Sequence, residues 1–437
     1  MDTTENGVDA VTELAGAAVG TGRDTAGPSL WRQRDFMLLW GGQTVSEAGS
    51  AVTEIALPLL AVAVLGASTF QVGLLSAAGT AAFALIALPA GALVDRGRKR
   101  PVLIGCDLLR LLLVGSIPVA AAVGALTMVQ LYLVALAAGV CTVFFDVAYQ
   151  SYLPSLVRPE HLLDANGKLG ATSAFAQLGG PSLGGGLVGV VGVAGAVTAD
   201  ALSYLVSTLA TWGIRGREEP PRARRAEETL RSQIAEGLRF VLGHRILRKV
   251  VACTATSNLF SGMGWALSVV FLIRVLHVAP ALTGLVMAGA AVGGLLGGVF
   301  AGRLARRIGS ARIIWVSILV FGAPQVVMAA AWQGWGVLLF PLGWGIAYFA
   351  GMVYNVAQVS YRQSVTPPEL MGRMNAAVRW IVWGTLPLGN LIGGVLGTLV
   401  GVRPVLWVAA VGSWAAGWFV FCSPLRRLRD VPAAEPV

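Results

Sequence analysis

Apolar stretches of about twenty residues or more, each long enough to cross a bilayer as a helix, alternate along this chain with short polar joints. The runs fall at 37–63, 71–94, 101–122, 127–150, 167–190, 194–214, 249–273, 281–302, 312–331, 335–360, 374–399 and 404–423. Only one long polar break interrupts them, at 215–248, with Glu218-Glu219-Pro220-Pro221 and seven Arg between Arg215 and Arg239. The pattern predicts an all-α membrane protein of twelve transmembrane helices in two six-helix bundles, 31–214 and 249–423. A flexible tail (1–30), the central loop (215–248) and a second tail (424–437) flank them. Within the loop, Leu230, Ile234, Leu238 and Leu242 are spaced four apart. They predict a helix from Glu227 to Gly243, supported by a Glu227–Arg231 pair and lying on the inner membrane face or serving as a linker.

Composition narrows the class. Of the 437 residues, 56% are hydrophobic and 12% charged, against roughly a quarter charged in a soluble domain. Soluble nucleic-acid binders and disordered chains are both excluded. The formal net charge is +10, from 32 Lys and Arg against 22 Asp and Glu. Sorted by segment, 28 of the 32 basic residues fall in the two tails and the even-numbered joints. The positive-inside rule makes that side cytoplasmic, with both termini there. The excess is therefore a topological label, and its partner is the lipid bilayer rather than nucleic acid.

The halves also repeat. Tyr152, Pro159, Glu160 and Asn166 recur 209 residues later as Tyr361, Pro368, Glu369 and Asn375, before the fifth and eleventh runs. Gly91, Leu93 and Arg96 recur 211 residues later as Gly302, Leu304 and Arg307. Duplicated bundles with a path between them are the build of secondary transporters. Lys99, Lys168 and Lys249 are the only lysines and none precedes Ser or Thr, so there is no P-loop. H-E-x-x-H does not occur. The chain is expected to be no enzyme, to need no ATPase subunit, and to move a small-molecule substrate on an ion gradient or passively. Cys106, Cys141, Cys253 and Cys422 lie singly in apolar runs and the three His are dispersed, so neither a metal nor a cofactor is expected.

Glu47 and Glu54, seven apart in the first run, share one helical face. A carboxylate at mid-membrane costs several kcal/mol unless it is neutralised or paired, and it commonly marks a proton or cation path. The alternative is a structural pair with a neighbouring Ser, Thr or Arg. Asp107 and Arg110, three apart, can neutralise each other. Asp200 reads as structural.

Gly91-Ala92-Leu93-Val94-Asp95-Arg96-Gly97-Arg98-Lys99-Arg100 resembles the loop 2–3 signature of the major facilitator superfamily, with Arg98 where the family has Gly. The resemblance implies that Asp95 abuts the eleventh helix and gates the outward-open state, and that Asp146 partners the basic cluster. The residue-level alternatives are a solvated topogenic cluster and an interfacial acid. Gly180-Pro181-x-x-Gly184-Gly185 resembles the antiporter signature of the drug-export branches, although small-residue packing alone would also use such a stretch. By the same likeness, Phe144, Phe145, Asn258, Trp265, Trp344, Tyr348, Tyr354, Asn355 and Trp383 lie on cavity-lining spans. Leu39-Trp40-Gly41-Gly42-Gln43, Tyr152-Leu153-Pro154-Ser155-Leu156 and Glu236-Gly237-Leu238-Arg239-Phe240 are similar to the enterobactin-exporter and macrolide-efflux branch. The resemblance implies a monomeric proton antiporter of the bacterial plasma membrane, exporting amphipathic drugs, antibiotics or siderophore-like products through Glu47 and Glu54. An importer or lipid transporter of the same fold, and a non-transporting scaffold or sensor, remain as alternatives.

Overall fold

The computed structural model describes residues 30–95, 97–157, 161–216, 218, 230–367 and 370–430. The described residues are all helical or irregular. The main helices are α1 (Arg34–Ala63), α2 (Thr69–Asp95), α3 (Lys99–Ala122), α4 (Met128–Leu156), α5 (Leu162–Trp212), α6 (Leu230–Gly243) and α7 (Leu247–Val270). They continue with α8 (Pro280–Ile308), α9 (Arg312–Val316), α10 (Leu339–Val365), α11 (Met371–Leu399), α12 (Val402–Ala415) and α13 (Gly417–Phe421). Eleven helical segments among the described residues are long and apolar enough to cross a membrane.

α5 is 51 residues long. Straight, it would run about 75 Å, more than twice the roughly 30 Å hydrocarbon core. Gly192 breaks it with φ 75° and ψ 172°, a left-handed φ that only glycine adopts without strain. Both arms then lie along α1. Trp40 Nε1 donates to Thr172 Oγ1 (3.0 Å) and Gly180 abuts Ala51 on the first arm; Gly42 abuts Ser207 and Gly49 abuts Ser203 on the second.

Two predicted runs are less regular than the pattern implied. The 312–331 run is α-helical only over Arg312–Val316, then a π-turn over Ser317–Phe321 and 3-10 over Ala323–Ala330. Pro324 cannot donate a backbone hydrogen bond and follows Gly322, so a regular ladder ends there. The last run similarly breaks between α12 and α13.

The central helix is also corrected. It is described from Leu230; Glu227 lies outside the described residues. Leu242 of the predicted stripe is 53% exposed, whereas Val241 is fully buried with Val251, Met374, Val378 and Val382. The covering surface is therefore α11 and α7 rather than lipid. Gly237 permits this, because its Cα faces the Arg373 backbone directly, and Glu236 pairs with Arg373. Burial pushes the His244 imidazole below its ordinary pKa, and its Nδ1 accepts from the Ile246 and Leu247 amides (3.3 and 3.1 Å) as α7 begins.

The two ends of the molecule differ. At the basic end, Glu218 accepts from the Lys99 and Arg100 amides (2.5 and 3.3 Å), Asp35 from the Arg215 and Gly216 amides (3.2 and 2.7 Å), and Asp430 from the Ser310 amide (2.9 Å). Glu218 thus caps α3 from across the chain. Glu218→Ala is expected to cost about 1 kcal/mol, in the range of lost N-caps, read as a lower thermal midpoint in detergent. At the opposite end, Arg274 Nη2 donates to the Ala67 and Gly66 carbonyls and Arg403 Nη2 to the Ala331 carbonyl (2.7 Å).

The apolar core is shared at one end only. One cluster joins both halves at the opposite end, with Ile55, Leu59, Val72 and Val188 packed alongside Met263, Leu267, Phe271 and Met287. Toward the basic end the described buried residues divide into clusters confined to a single half: Phe36, Leu103 and Tyr152 in one, Leu247, Ile314 and Tyr361 in another. Across the closed end, Gly73 faces Gly394 and Gly185 faces Gly284. A Cβ built at Gly73 or Gly185 would meet the partner Cα at 2.5 or 2.6 Å. The halves therefore share an apolar core at one end, whereas toward the basic end each keeps its own and α2 meets α11 through Phe83–Trp383 and Trp380–Ala84.

Candidate functional site

The first helix carries the acids to the space between the halves. Glu47 accepts from Gln43 Nε2 (2.9 Å), one turn earlier on α1, and from Ser173 Oγ (2.8 and 2.9 Å) on the first arm of α5. Asp146 and Tyr149 of α4 lie close enough to feel its charge. Glu47 is thus a half-buried carboxylate held by two neutral donors.

Glu54 is different. Its side chain is exposed and lies beside residues of the second half, which puts the carboxylate in the crevice between the halves. Its polar partner is the Trp265 indole of α7, and Tyr348 of α10 lies within electrostatic range. Trp265 and Trp344 pack edge to face at 5.8 Å, and Trp344 and Tyr348 lie 5.7 Å apart. Two aromatic residues from the second half, Trp265 and Tyr348, therefore meet a carboxylate from the first, with Trp344 packed against both rings. Such rings offer apolar area, while the acid fixes the polar end of a ligand.

A second cavity of about 260 Å³ opens toward the basic end, lined among others by Phe83, Asp146, Gln150, Arg379, Trp380 and Trp383. Phe83 of α2 meets Trp383 of α11 at 5.0 Å, and Trp380 Nε1 donates to the Ala84 carbonyl (3.0 Å). Arg379 lies 5.7 Å over the Trp383 ring. The acid and guanidinium line the cavity from opposite halves, with Arg110 also acting on Asp146.

Asp107 and Arg110 are buried and paired at 2.5 Å, and the guanidinium is sandwiched between Phe145 (4.5 Å) and Tyr204 (4.6 Å). Phe145, 2% exposed, consequently belongs to the packing around Arg110 rather than the cavity wall, which corrects its expected place. Tyr354 is corrected likewise. It is buried in the second half's own core, its hydroxyl bonded to Thr254 Oγ1 (2.8 Å) and the Val250 carbonyl (3.0 Å). Asn258 Nδ2 donates to the Val382 carbonyl (3.1 Å), tying α7 to α11, and exposed Asn355 accepts from Gln358 (3.0 Å). Phe144 packs partly buried beside Val143.

The loop 2–3 motif is only partly described. The side chain of Asp95 and all of Arg96 lie outside the described residues, as do the Pro181 side chain and the repeat positions Pro159, Glu160, Pro368 and Glu369; Gly91 is described as helical backbone only. Arg98 is exposed and Lys99 Nζ donates to the Gly97 carbonyl (2.9 Å). Gly180 and Gly184 press against Ala51 and Val52 of α1, while Gly185 meets α8 of the other half.

The structure adds Ser173, Gln43, Arg379 and Asp200 to the residues chosen from sequence. Arg379 carried a signal, since a lone Arg inside an apolar run needs a reason. Ser173 and Gln43 carried none. Their importance arises only when α5 folds back on α1.

A family profile described as a transmembrane secretion effector matches residues 26–435. Among curated proteins, the chain is 26% identical over 412 residues to the multidrug efflux pump Tap of Mycolicibacterium fortuitum, covering 92% of this chain and 97% of that one. It is 22% identical to macrolide efflux protein A of Streptococcus pyogenes (92% and 98% covered) and 26% identical to the enterobactin exporter EntS of Citrobacter koseri (87% and 92%). Among solved structures, a bacterial homologue of the iron transporter ferroportin is similar in fold at 16% identity, covering 89% of this chain and 98% of that one. The TM-score is 0.70 for its inward-facing state and 0.59 for its outward-facing state.

Proposed function

Because this chain belongs to the transmembrane secretion effector family of major facilitator transporters, we propose that it is a proton-driven antiporter exporting amphipathic small molecules by alternating access. The observation that carries this reading is the exposed Glu54 carboxylate, set against Trp265 and Tyr348 of the other half. A proton-carrying acid and an aromatic ligand surface in one space let proton and cargo compete for occupancy. That competition is what couples antiport. The curated relatives named as multidrug, macrolide and enterobactin exporters support an outward direction and an amphipathic cargo.

The remaining assignments extend this reading. The twelve-span count takes the two arms of α5 as separate crossings. The basic end is cytoplasmic by the positive-inside rule, in a bacterial plasma membrane. The shared apolar core and the Gly73–Gly394 and Gly185–Gly284 contacts then seal the outer side, an inward-facing state, in keeping with the better fit to the inward-facing ferroportin homologue. Loop 2–3, with Asp95 and Arg96, is assigned to gating, and Gly180 to Gly185 to close approach of α5 to α1 and α8.

Everted vesicles with a preformed pH gradient test the coupling, using ethidium and erythromycin as probes. Wild type is expected to dissipate the gradient on addition of a transported probe, and Glu54→Gln to lose about tenfold or more of that response. Glu47→Gln should lose less, since Gln43 and Ser173 already satisfy its carboxylate. If both variants respond like wild type, neither acid carries the coupling proton. If no compound of a broad panel is transported or dissipates the gradient, proton-driven export is wrong.

A further inference from the structure

Behind α1, on the side away from the aromatic cluster, a second acid lies deeper than either glutamate. Asp200, on the second arm of α5, is fully buried. Its contacts come from three elements. From its own arm Ser203 Oγ donates to Oδ1 (3.2 Å), and Tyr204 lies within reach. From α1, Thr53 is within reach and Gly49 presses on the carboxylate with no side chain between. From α3, Arg110 acts on it at longer range, with its own charge already matched by Asp107. The Oδ2 atom is buried and has no hydrogen-bond partner among the described residues.

An ionised carboxylate with one oxygen unsatisfied is among the costliest groups to bury in a membrane protein, whereas a neutral acid fits the same site far more cheaply. Arg110 is no substitute partner, being stacked between two rings and bonded to Asp107. A polar path leads away from the site: Ser50 Oγ lies 2.9 Å from Tyr204 Oη, donates to the Ser46 carbonyl (2.9 Å), and is partly accessible.

We propose that Asp200 is a second proton-carrying acid of the transport cycle, protonated in this conformation and supplied through the Ser50 and Tyr204 hydroxyls. The Ser50 hydroxyl turns from the Ser46 carbonyl toward Tyr204, and a proton entering from water at the Ser50 oxygen then displaces the Ser50 proton to the Tyr204 oxygen. The Tyr204 hydroxyl proton then passes to the Asp200 carboxylate. No other bond changes, and the reverse transfer returns the proton. The proton on Asp200 also sets the field at Arg110 and, through it, at Asp146 on the cavity wall. This inference rests on the proposed proton-coupled antiport.

Two measurements decide it. In the first, purified protein in nanodiscs is examined by infrared spectroscopy at neutral pH, with no ligand. Wild type is expected to show a protonated-carboxyl band that loses amplitude in Asp200→Asn and returns, shifted, in Asp200→Glu. In the second, proteoliposomes are assayed with ethidium for pH-driven accumulation and for exchange at equal pH on both sides. Asp200→Asn should keep exchange, which moves no net proton, while losing about tenfold or more of the driven accumulation. Tyr204→Phe should slow the driven mode and leave exchange intact. A band unchanged in Asp200→Asn, or driven accumulation equal to wild type, overturns the assignment. A variant that loses both modes, and whose band is unaltered, shows a structural acid only. Wild type without any pH-driven accumulation would instead overturn proton coupling itself, while the infrared result would still report on Asp200.

Discussion

Replacing Arg110 by leucine in an otherwise intact chain is expected to destabilise the protein by about 3–5 kcal/mol, because it strips the charge partner from a buried acid. Asp107 is fully buried and Arg110 is 4% exposed, so solvent can repair neither if the other is lost. The cation also lies between the Phe145 and Tyr204 rings, and desolvated contacts of that kind add about 0.5–2 kcal/mol. A double replacement, Asp107→Leu with Arg110→Leu, should recover most of the loss. Burying an ion pair costs much of what the attraction returns, so removing both charges is far cheaper than removing one. The check is a cycle of thermal midpoints in one detergent: wild type, both singles and the double. An Arg110→Leu midpoint no lower than that of the double variant would mean that Asp107 is already neutral or satisfied elsewhere. The apolar packing around the pair would then be its main support.

That pair shows how much a local pattern can reveal. Asp107 and Arg110 are three apart on one helix, so their encounter follows from helical periodicity alone. The same holds for the spans, whose apolar lengths are local quantities, and for the break at Gly192 between the fifth and sixth runs. The side that is basic was readable by counting. Tertiary arrangement was not. The stripe chosen in the central helix missed the buried line by one position, because Gly237 allows the backbone of α11 to approach where a leucine-based pattern sees nothing. Family likeness puts Phe145 and Tyr354 on cavity-lining spans, yet each side chain packs into the core of its own half.

The acids divide along the same line. Position in an apolar run marked Glu47 and Glu54 as unusual, yet their different surroundings depend on partners over a hundred residues away. Ser173 satisfies Glu47, and Trp265 faces Glu54. Asp200 reads from sequence alone as a structural acid. Packing against Gly49 places it behind the middle of α1, where a carboxylate has the least access to water. A glycine in one helix and an acid in another are unrelated letters until the helices meet.

The glycines at the closed end provide the sharpest test of alternating access. Gly185→Leu is expected to push α5 from α8, since even a Cβ there would fall 2.6 Å from the Gly284 Cα, a backbone atom that cannot swing aside. Overpacking of this kind costs about 1–3 kcal/mol, and the cost falls only on the conformation in which these helices touch. That bias shifts the two-state population by about 5- to 150-fold. Neighbouring Gly186 has no atom within 4 Å of its Cβ direction, so Gly186→Leu should leave the balance unchanged. A single cysteine at Asn375, exposed on the second cavity's wall, reports the outcome in a background with Cys106, Cys141, Cys253 and Cys422 replaced. Its labelling should be fast in the parent and in Gly186→Leu, and slower by about fivefold or more in Gly185→Leu, with transport lost. Equal labelling in all three would mean that the basic end stays open whether or not the opposite end can close. The two halves would then not rock as rigid bodies about a shared axis.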